Sequence, residues 1–424
     1  MKIYCSGIGG IGLSAYASLA RAAGHTVLGS DRAASALVED LRSQGIDITL
    51  NQDGSQVPED ADLFVYSEAI PEEAPERKAA KAQGITQKSY PEAVAELTKG
   101  HRLIAVSGTH GKSSTTAMVA RMMLDSGMDP TIVVGTKMNE LNNRNWHRGA
   151  GKDFVLEACE YRRSFLNYKP QIILLTTCDG DHFDYFQSQE DYRKAFLEFI
   201  RSLPSDGVLI THMSDPDCAA VAKESGKKVM DADENPLPEL GIPGAHMQQN
   251  AQLALALAEQ LVLDPETAMK SLQGFRGTWR RMEQCGQTKE GAIVYDDYGH
   301  HPREVRATIE GLRTKFPDRK IICVFQPHTH DRTIKLWDDF ARSFTAANLV
   351  IIPNVYDARG HLEKKLVDLP AFLKAIEQWS GVPAVNRLGF DETEKAVHAF
   401  AQEGDIVLCM GAGDITNLAT KLVS

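Results

Sequence analysis

The 424-residue sequence contains no uninterrupted apolar run close to the 20 or so residues that a membrane-spanning helix requires. Its first residues, MKIYCSGIGGIG, lack both the apolar core and the small-residue cleavage site of a secretory signal. We therefore expect a chain that neither spans nor binds a membrane and that stays in the cytoplasm.

Cysteine pairs, basic clusters and repeats are also absent. The seven cysteines show no CxxC pair and no spacing typical of a zinc site or a disulfide framework, so we expect reduced and mostly buried thiols. Acidic residues number 57 against 46 basic ones, a formal charge of −11, which disfavours binding to a phosphate backbone. Nucleic acid is not an expected partner, and both a monomer and a homodimer stay open.

The composition, 43% hydrophobic and 24% charged, is that of a globular protein, and the length favours two or three domains. Three segments each open on a short apolar strand, followed by a polar or glycine-rich loop and a helical pattern. This alternation predicts an α/β fold with mainly parallel sheets. We place the domains at 1–98, 99–276 and 277–424.

The predicted strands and helices follow the apolar pattern and the Gly and Pro breaks. Predicted strands are 2–6, 26–31, 63–66, 103–106, 154–156, 172–176, 208–211, 292–296, 320–325, 349–352 and 406–410. Predicted helices are 13–23, 73–83, 91–97, 192–202, 251–261, 303–315 and 334–344, with a further helix ending near residue 124.

The first segment carries GxGxxG directly after a strand and at the head of a helix. There, backbone N–H groups and the helix dipole favour a pyrophosphate. An aspartate about 20 residues further on has the spacing at which an acid meets a ribose hydroxyl. A tight turn with glycines kept for packing is the alternative, and the motif does not choose between a dinucleotide and another nucleotide diphosphate. The candidate residues are Gly7, Gly9, Gly10, Ile11, Gly12 and Asp31.

The second segment carries a loop between a strand and a helix that is typical of phosphate binding. Lys112 would neutralise β- and γ-phosphates, and the hydroxyl of Ser113 would reach Mg²⁺. A chance lysine beside a capping serine is the alternative. The candidate residues are Gly108, Thr109, His110, Gly111, Lys112, Ser113 and Ser114.

Two later residues could complete a magnesium site. Glu157 ends a predicted strand, and His182 follows another, so both should lie at the carboxyl edge where open α/β sheets bind ligands. Each taken singly could equally be an ordinary surface residue.

The third segment contains DDYGHHP between a strand and a helix. The run of two aspartates and two histidines could indicate a metal site, but adjacent residues at an extended strand end point in different directions. An aspartate that orients a ribose or a reacting amine, with a histidine holding the acceptor, is the preferred interpretation. The arginines of GTWRR and FQPHTHDRT would counter anionic groups, or are ordinary solvated charges.

Taken in order, the motifs GIGGIG, GTHGKSS, EACEYRRSFL, DHFDYF, HMQQNA, GTWRR, DDYGHHP, FQPHTHDRT and GAGDI resemble those of the Mur ligases. The similarity runs nearly end to end and is strongest to the branch that joins L-alanine to UDP-N-acetylmuramate. It implies an N-terminal Rossmann-like domain for the UDP-sugar, a central ATPase domain and a C-terminal domain that brings the amino acid.

The resemblance also implies roles for single residues. Lys112 would bind phosphate, with Ser113, Glu157 and His182 as magnesium ligands. Around ATP it places Asn250, Arg281 and Asp297, and by the acceptor amino acid it places His300, His301 and Arg332.

Three positions depart from the family pattern. Thr177 and Met247 stand where asparagines are expected, and Thr329 stands where an arginine is expected. A thioether cannot replace the donor and acceptor of an amide, which affects the adenine side of the ATP site. The missing arginine removes a fixed charge near the acceptor.

Parts of the sequence are also compatible with three other functions. A ligase for a preformed murein tripeptide would use very similar loops, and the three departures raise a degenerate, non-catalytic nucleotide-binding protein. A dinucleotide oxidoreductase would explain the first glycine motif but would leave GTHGKSS without a purpose.

Overall fold

The computed structural model of the chain describes residues 1–180, 185–357 and 366–423. Its contacts divide the chain into two compact units. The first unit comprises Met1–Pro238 and Asn250–Leu272, and the second comprises Glu239–Gln249 and Gln273–Ser424. The first contains two sheets and the second contains one.

The first sheet of the first unit has five strands in the order β3-β2-β1-β4-β5, all parallel. Its sequence order reverses between β1 and β4, where open α/β sheets bind their ligands. Its elements are β1 (Lys2–Ser6), α1 (Ile11–Ala22), β2 (Thr26–Ser30), α2 (Ala36–Ser43), β3 (Asp47–Thr49), β4 (Leu63–Tyr66), α3 (Pro75–Ala82), β5 (Thr86–Ser89) and α4 (Tyr90–Leu97).

The second sheet has seven strands in the order β12-β11-β10-β6-β9-β7-β8, parallel except for the β7–β8 hairpin at one edge. The continuous apolar runs of its central strands, such as IILL, are buried throughout, as expected when helices cover both faces. Its elements are β6 (Arg102–Ser107), α5 (Lys112–Asp125), β7 (Thr131–Met138), β8 (Arg144–His147), β9 (Asp153–Glu157), β10 (Ile172–Leu175), α6 (Gln189–Arg201), β11 (Val208–Thr211), α7 (Pro216–Ser225), β12 (Lys228–Asp231), α8 (Ala245–Gln260) and α9 (Pro265–Gln273).

The second unit is built on a six-stranded sheet in the order β13-β14-β18-β15-β16-β17, in which only the β13–β14 pair is antiparallel among the described residues. The central strands β14, β18 and β15 therefore send their following loops to one edge. The elements are β13 (Glu283–Gln287), β14 (Ile293–Asp297), α10 (Pro302–Lys315), β15 (Ile321–Phe325), α11 (His330–Lys335), α12 (Trp337–Ala341), β16 (Leu349–Ile352), α13 (Leu369–Ser380), β17 (Ala384–Asn386), α14 (Gly389–Phe400), β18 (Ile406–Met410) and α15 (Thr416–Leu422).

The eleven predicted strands are confirmed to within a residue or two at each end, and one predicted helix is wrong. Residues 334–344 form no single helix, because the backbone of Leu336 (φ −109°, ψ 27°) leaves the helical region between α11 and α12. Seven strands of the described chain were not predicted: the edge strands β3, β5, β8, β12, β13 and β17, and also β7. The edge strands are short and lack a sustained apolar alternation, as RNWH and EQCGQ show. Among the described residues, no helix is long and apolar enough to cross a membrane.

A buried carboxylate supports the ligand edge of the first sheet. Glu76 is 1% exposed and accepts hydrogen bonds from Tyr4 Oη (2.7 Å), Ser6 Oγ (2.5 Å) and Ser30 Oγ (2.8 Å). Ser6 ends β1 and Ser30 ends β2, so one side chain fixes both strand ends. A buried carboxylate with three oriented hydroxyl donors is favourable in the interior. Loss of the carboxylate would leave those three donors without an acceptor.

We predict that Glu76→Ala lowers the free energy of unfolding by about 2–4 kcal/mol, because three hydroxyl donors lose their acceptor and a cavity is left. Urea denaturation of the variant and the wild type measures this. As a control, Glu72→Ala on the same segment removes an exposed pair with Lys81 (3.5 Å) and should cost less than about 0.5 kcal/mol. Equal effects from the two substitutions would refute the structural role of Glu76.

Candidate functional site

The loop between β6 and α5 has a backbone that only glycine adopts without strain. Gly108 has φ 143° and Gly111 has φ 80°. A Cβ on Gly108 would lie 2.0 Å from Thr176 Oγ1, and one on Gly111 would lie 2.5 Å from Asn250 Oδ1. The loop is therefore pressed against neighbouring polar groups. No described side chain caps the first turn of α5, so its N–H groups can face an anion.

Two threonines at the end of β10 anchor this loop. Thr109 N donates to Thr177 O (2.8 Å), His110 N donates to Thr177 Oγ1 (3.1 Å), and Thr176 Oγ1 donates to His110 O (2.5 Å). Thr177 is one of the three departures from the family pattern. Its hydroxyl accepts a loop amide, so the position still contributes a hydrogen-bonding side chain to the loop.

Lys112 extends back over the loop. Its ammonium donates to Gly108 O (2.5 Å) and Thr109 O (3.0 Å) and lies 2.9 Å from Glu160 Oε2. Burial is the largest single effect and would lower the pKa of Lys112, but the neighbouring acidic groups together, led by the fully buried Glu160 carboxylate, raise that pKa above its usual value. Lys112 is therefore a permanent cation at the head of α5. Tyr192 completes the cluster through hydrogen bonds to Thr109 Oγ1 (2.9 Å) and Glu160 Oε1 (3.4 Å).

The predicted metal ligands Ser113 and Glu157 are neighbours. Ser113 Oγ donates to Glu157 Oε1 (2.9 Å), and the other carboxylate oxygen accepts from Gly135 N (2.6 Å). A hydroxyl and a carboxylate beside a phosphate loop are hard oxygen donors that suit Mg²⁺, which takes its remaining ligands from water and phosphate. Within the described ranges no group of three or more His, Cys, Asp or Glu forms a complete metal site. His182 lies outside the described residues.

Asn250 lies against the phosphate loop, since a Cβ on Gly111 would be 2.5 Å from its Oδ1, and it is 6% exposed. Met247, the second departure from the family pattern, is 3% exposed and lies in the first turn of the same helix, α8. An apolar side chain at 247 is thus accommodated in the interior of the protein.

The glycine loop of the first sheet is also tightly packed. Gly7 has φ 78°, and Cβ atoms on Gly9 and Gly12 would lie 2.9 Å from Asp31 Oδ2 and 2.7 Å from the ring of Tyr90. Gly9 N donates to Asp31 Oδ2 (2.8 Å). The structure thus places Asp31 on the loop itself; its predicted contact with a ribose stays a prediction.

A cavity of about 380 Å³ opens at the end of β4, next to this loop. A Cβ on Gly7 would lie 3.0 Å from Ser67 Cβ, which shows how closely the loop after β4 approaches the glycine loop. The guanidinium of Arg77 lies 3.8 Å from the ring centroid of Tyr66, and Arg162 donates to Glu68 O (3.0 Å). The volume of the cavity suits a small ligand. The lining residues are Tyr66, Glu68, Ile70, Pro71, Glu72, Arg77, Ser89, Glu92, Arg162 and Asn167.

In the second unit the two aspartates that end β14 have different environments. Asp297 accepts Met282 N (2.9 Å) and Gly299 N (2.8 Å), so it holds both the residue that precedes β13 and the loop that follows β14. Asp296 is 1% exposed, with Arg280 Nε 3.7 Å away. Burial above all raises the pKa of Asp296 to about 6, which Arg280 only partly opposes, and burial likewise raises the pKa of Asp297.

The two arginines of GTWRR have separate roles. Arg280 is 7% exposed and donates to Gly411 O (2.5 Å) and Gly413 O (2.9 Å), so it holds the loop after β18. Arg281 is half-buried, and its guanidinium lies 4.9 Å from the ring of Tyr298, as does that of Arg280. Arg281 is therefore the better placed of the two to meet a ligand, and it is the one predicted to do so.

The two histidines of DDYGHHP also differ. His301 is the N-cap of α10, its ring accepting from Arg303 N (3.4 Å), and Glu304 accepts from His301 N (3.1 Å) in return. His300 Nδ1 lies 3.1 Å from Tyr298 O, and its ring meets that of His328 edge-on at 5.8 Å. His300 thus belongs to a cluster of rings beside the strand ends, whereas His301 begins a helix.

The loop after β15 shows how the third departure is accommodated. Thr329 has φ 66° and caps α11, accepting Arg332 N (3.4 Å) on its hydroxyl. Its N–H donates to Tyr356 O (2.9 Å), and the Tyr356 ring stacks on His328 at 5.5 Å. Arg332 lies in the first turn of α11, so its position depends on that cap.

Gln326, fully buried, ties the loops of this edge together. It donates to Asp414 Oδ1 (2.8 Å) and Asn354 Oδ1 (3.2 Å) and accepts Ile415 N (3.1 Å). Sequence reasoning missed this residue and also Glu160, Tyr192 and Thr176. It named Arg280 only as a possible counter to an anionic group, not as a residue that holds a loop. Glu160 alone had a local signal, since it stands three residues after Glu157 in the same acidic run.

A phosphate loop with its lysine, on an α/β fold with a second ligand loop, defines the class of nucleotide-binding enzymes. Family models place the chain further: "Mur ligase family, catalytic domain" matches residues 2–102, "Mur ligase middle domain" matches 106–236, and "Mur ligase, glutamate ligase domain" matches 280–413. The chain belongs to the Mur ligase family. It is an ATP-dependent ligase with the three-domain α/β architecture of that family, as the resemblance implied.

Individual relatives cover the whole chain. The UDP-N-acetylmuramate–L-alanine ligases of Clostridium acetobutylicum and Alkaliphilus metalliredigens are 34% and 36% identical, over 100% of this chain and 97% of theirs. The solved UDP-N-acetylmuramate–alanine ligase from Thermotoga maritima superposes with a TM-score of 0.83 at 27% identity, covering 100% and 98%. A murein peptide ligase from Psychrobacter arcticus gives 0.73 at 23% identity with the same coverage, which speaks for the fold alone.

We predict that Gly111→Ala weakens nucleotide binding at least about tenfold, because the new Cβ would meet Asn250 and φ 80° is strained for alanine. Calorimetric titration with ADP measures this. Gly127→Ala, at the end of α5, is the matched control: φ is 74°, but no described atom lies within 4 Å. It should cost about 1 kcal/mol of stability and leave ADP affinity unchanged; a similar loss of affinity in both variants would refute the steric argument.

Asp296 should make stability pH-dependent. The pKa of Asp296 is about 6 in the folded protein and about 3.9 in unfolded chains. Between about pH 3.9 and 6 the folded state therefore binds more protons than the unfolded state. Because of this difference, the free energy of unfolding is highest below about pH 4 and declines as the pH rises to about 6. Asp296→Asn removes this titration. Relative to the variant, the wild type should lose on the order of 2–3 kcal/mol of unfolding free energy from pH 4 to 6.5. Parallel denaturation curves across that range would contradict the prediction.

Proposed function

We propose that the protein joins L-alanine to the lactyl carboxylate of UDP-N-acetylmuramate, with ATP converted to ADP and phosphate, in peptidoglycan precursor synthesis. The observation that carries the proposal is the phosphate loop with Lys112 between two loop carbonyls and Glu160, in a chain whose full-length relatives bear that ligase name. We assign the UDP-sugar to residues 1–98, ATP to 99–276 and the amino acid to 277–424.

In the proposed reaction a lactyl carboxylate oxygen attacks the γ-phosphorus of ATP, the bond to the ADP oxygen breaks, and an acyl phosphate forms. Charge spreads over the transferred phosphoryl group, and Lys112 lies at the head of α5 to neutralise it. Mg²⁺ held by Ser113 and Glu157 would add further positive charge there. His182 stays the predicted ligand of a second ion.

The amine of the amino acid then attacks the activated carbonyl carbon. A C–N bond forms, the amine gives up a proton, and inorganic phosphate leaves as the tetrahedral intermediate collapses. Two anionic substrates have to approach each other, so fixed cations lower the cost of bringing them together. The family positions assign Asn250, Arg281 and Asp297 to ATP, and His300, His301 and Arg332 to the acceptor.

The acceptor side is where this chain differs most from the family pattern. Thr329 replaces an arginine and uses its hydroxyl to cap α11, so it supplies no charge to the amino-acid carboxylate. Arg332, in the turn that this cap begins, is the arginine left to form the paired hydrogen bonds that suit a carboxylate. Glycine, serine and the murein tripeptide are therefore tested beside alanine.

We expect phosphate release by the purified protein with ATP, Mg²⁺ and UDP-N-acetylmuramate to depend on L-alanine. Lys112→Ala should reduce kcat at least about a hundredfold, because a transition-state charge contact is removed. The exposed Lys152→Ala is the matched control and should keep normal turnover. Release with tripeptide but not with alanine would favour the alternative ligase, and no release with any acceptor would refute the proposed activity.

A further inference from the structure

The β7–β8 hairpin was assigned no function by any sequence motif. Its strands pair antiparallel, Ile132 with His147 and Val133 with Trp146, and β7 lies next to β9, which ends at Glu157. The hairpin contacts α1, the helix that follows the glycine loop of the first sheet. It therefore connects α1 to the strand that carries the predicted metal carboxylate.

One buried side chain makes the contact with α1. Asn145 is 4% exposed, and its Nδ2 donates to Ile11 O (2.5 Å) and Ser14 Oγ (3.3 Å). Ile11 and Ser14 belong to the first turn of α1. A side chain from the sheet of the phosphate loop thus fixes the turn that follows the glycine loop.

The backbone amides of this turn can donate to a bound phosphate group, because those of the preceding glycine loop already donate to acceptors in the protein. Gly9 N is already used by Asp31 Oδ2, and Gly10 N donates to Gly7 O (3.2 Å). The N–H groups of Ile11 and Gly12 open the helix and have no carbonyl one turn earlier within it, and no described side chain caps them. An anion bound at α1 would depend on them, and hence on the orientation of the turn that Asn145 holds.

The other strand of the same hairpin reaches the predicted metal carboxylate. Gly135 N, on β7, donates to Glu157 Oε2 (2.6 Å), while the other oxygen of Glu157 accepts from Ser113. A Cβ on Gly135 would lie 2.6 Å from Glu157 Oε1, so the strand and the carboxylate are in close contact. One two-stranded element therefore contacts both the first turn of α1 and the predicted metal carboxylate.

We propose that Asn145 is a positioning residue for the diphosphate of the UDP-sugar, and that the β7–β8 hairpin couples occupancy of the sugar site to nucleotide binding beside Glu157. The identity of the sugar ligand rests on the proposed function, but the geometry requires only a nucleotide diphosphate at α1. The donated hydrogen bonds of Asn145, rather than its bulk, hold the turn.

The test compares Asn145→Ala and Asn145→Leu, the second of which keeps the volume without the donor. Titration with UDP and steady-state kinetics with UDP-N-acetylmuramate should show Kd and KM raised about fivefold to tenfold in both, with ADP affinity in the absence of sugar unchanged. The ratio of ADP Kd values without and with UDP-N-acetylmuramate should move towards 1, which loss of stability alone would not produce.

Lys137→Ala is the matched control. Lys137, on β7, pairs with Asp40 on α2 (2.7 Å), so this ion pair joins the same hairpin to a different helix of the first sheet. It should leave UDP affinity unchanged. Wild-type UDP affinity in both Asn145 variants, or an equal loss in Lys137→Ala, would overturn the inference. A wild type that binds UDP but releases no phosphate would refute the proposed function while the UDP titrations still decide the role of Asn145.

Discussion

The phosphate site depends on one close approach, that of the loop before α5 to the end of β10. A Cβ at Gly108 would lie 2.0 Å from Thr176 Oγ1, so the approach exists only because glycine has no side chain there. It lets Thr176 and Thr177 hold the loop backbone, which in turn brings two loop carbonyls to Lys112. Every later feature of the site, including the Glu160 pair, is built on that constraint.

The departures from the family pattern have structural counterparts in this chain. Thr177 offers a hydroxyl to a loop amide, Thr329 caps a helix, and Met247 is buried. Each of these side chains has a structural role in the folded chain. The three departures are therefore compatible with an intact fold around the site. The threonine at position 329 lacks the positive charge of the expected arginine. A charge near the acceptor site affects the choice of acceptor more than the stability of the fold.

Buried polar groups do most of the positioning. Glu76 holds two strand ends, Gln326 joins three loops, and Asn145 links the second sheet to the helix of the first. None of them belongs to a recognisable motif. A polar side chain is costly in the interior unless all its partners are supplied, so each such group specifies one arrangement of the loops around it.

The sequence by itself determined most of the central strands, the parallel α/β order and the two glycine loops, because strand pattern and turn chemistry are local properties. It also determined Lys112, Ser113 and Glu157 as neighbours, since parallel strands end at a common edge. Only the tertiary structure decided that Glu160 pairs with Lys112, that Arg280 supports a loop while Arg281 stays half-buried, and that Asn145 reaches Ile11. Those contacts join residues 48, 131 and 134 positions apart, and no local pattern encodes which distant partner a buried polar side chain meets.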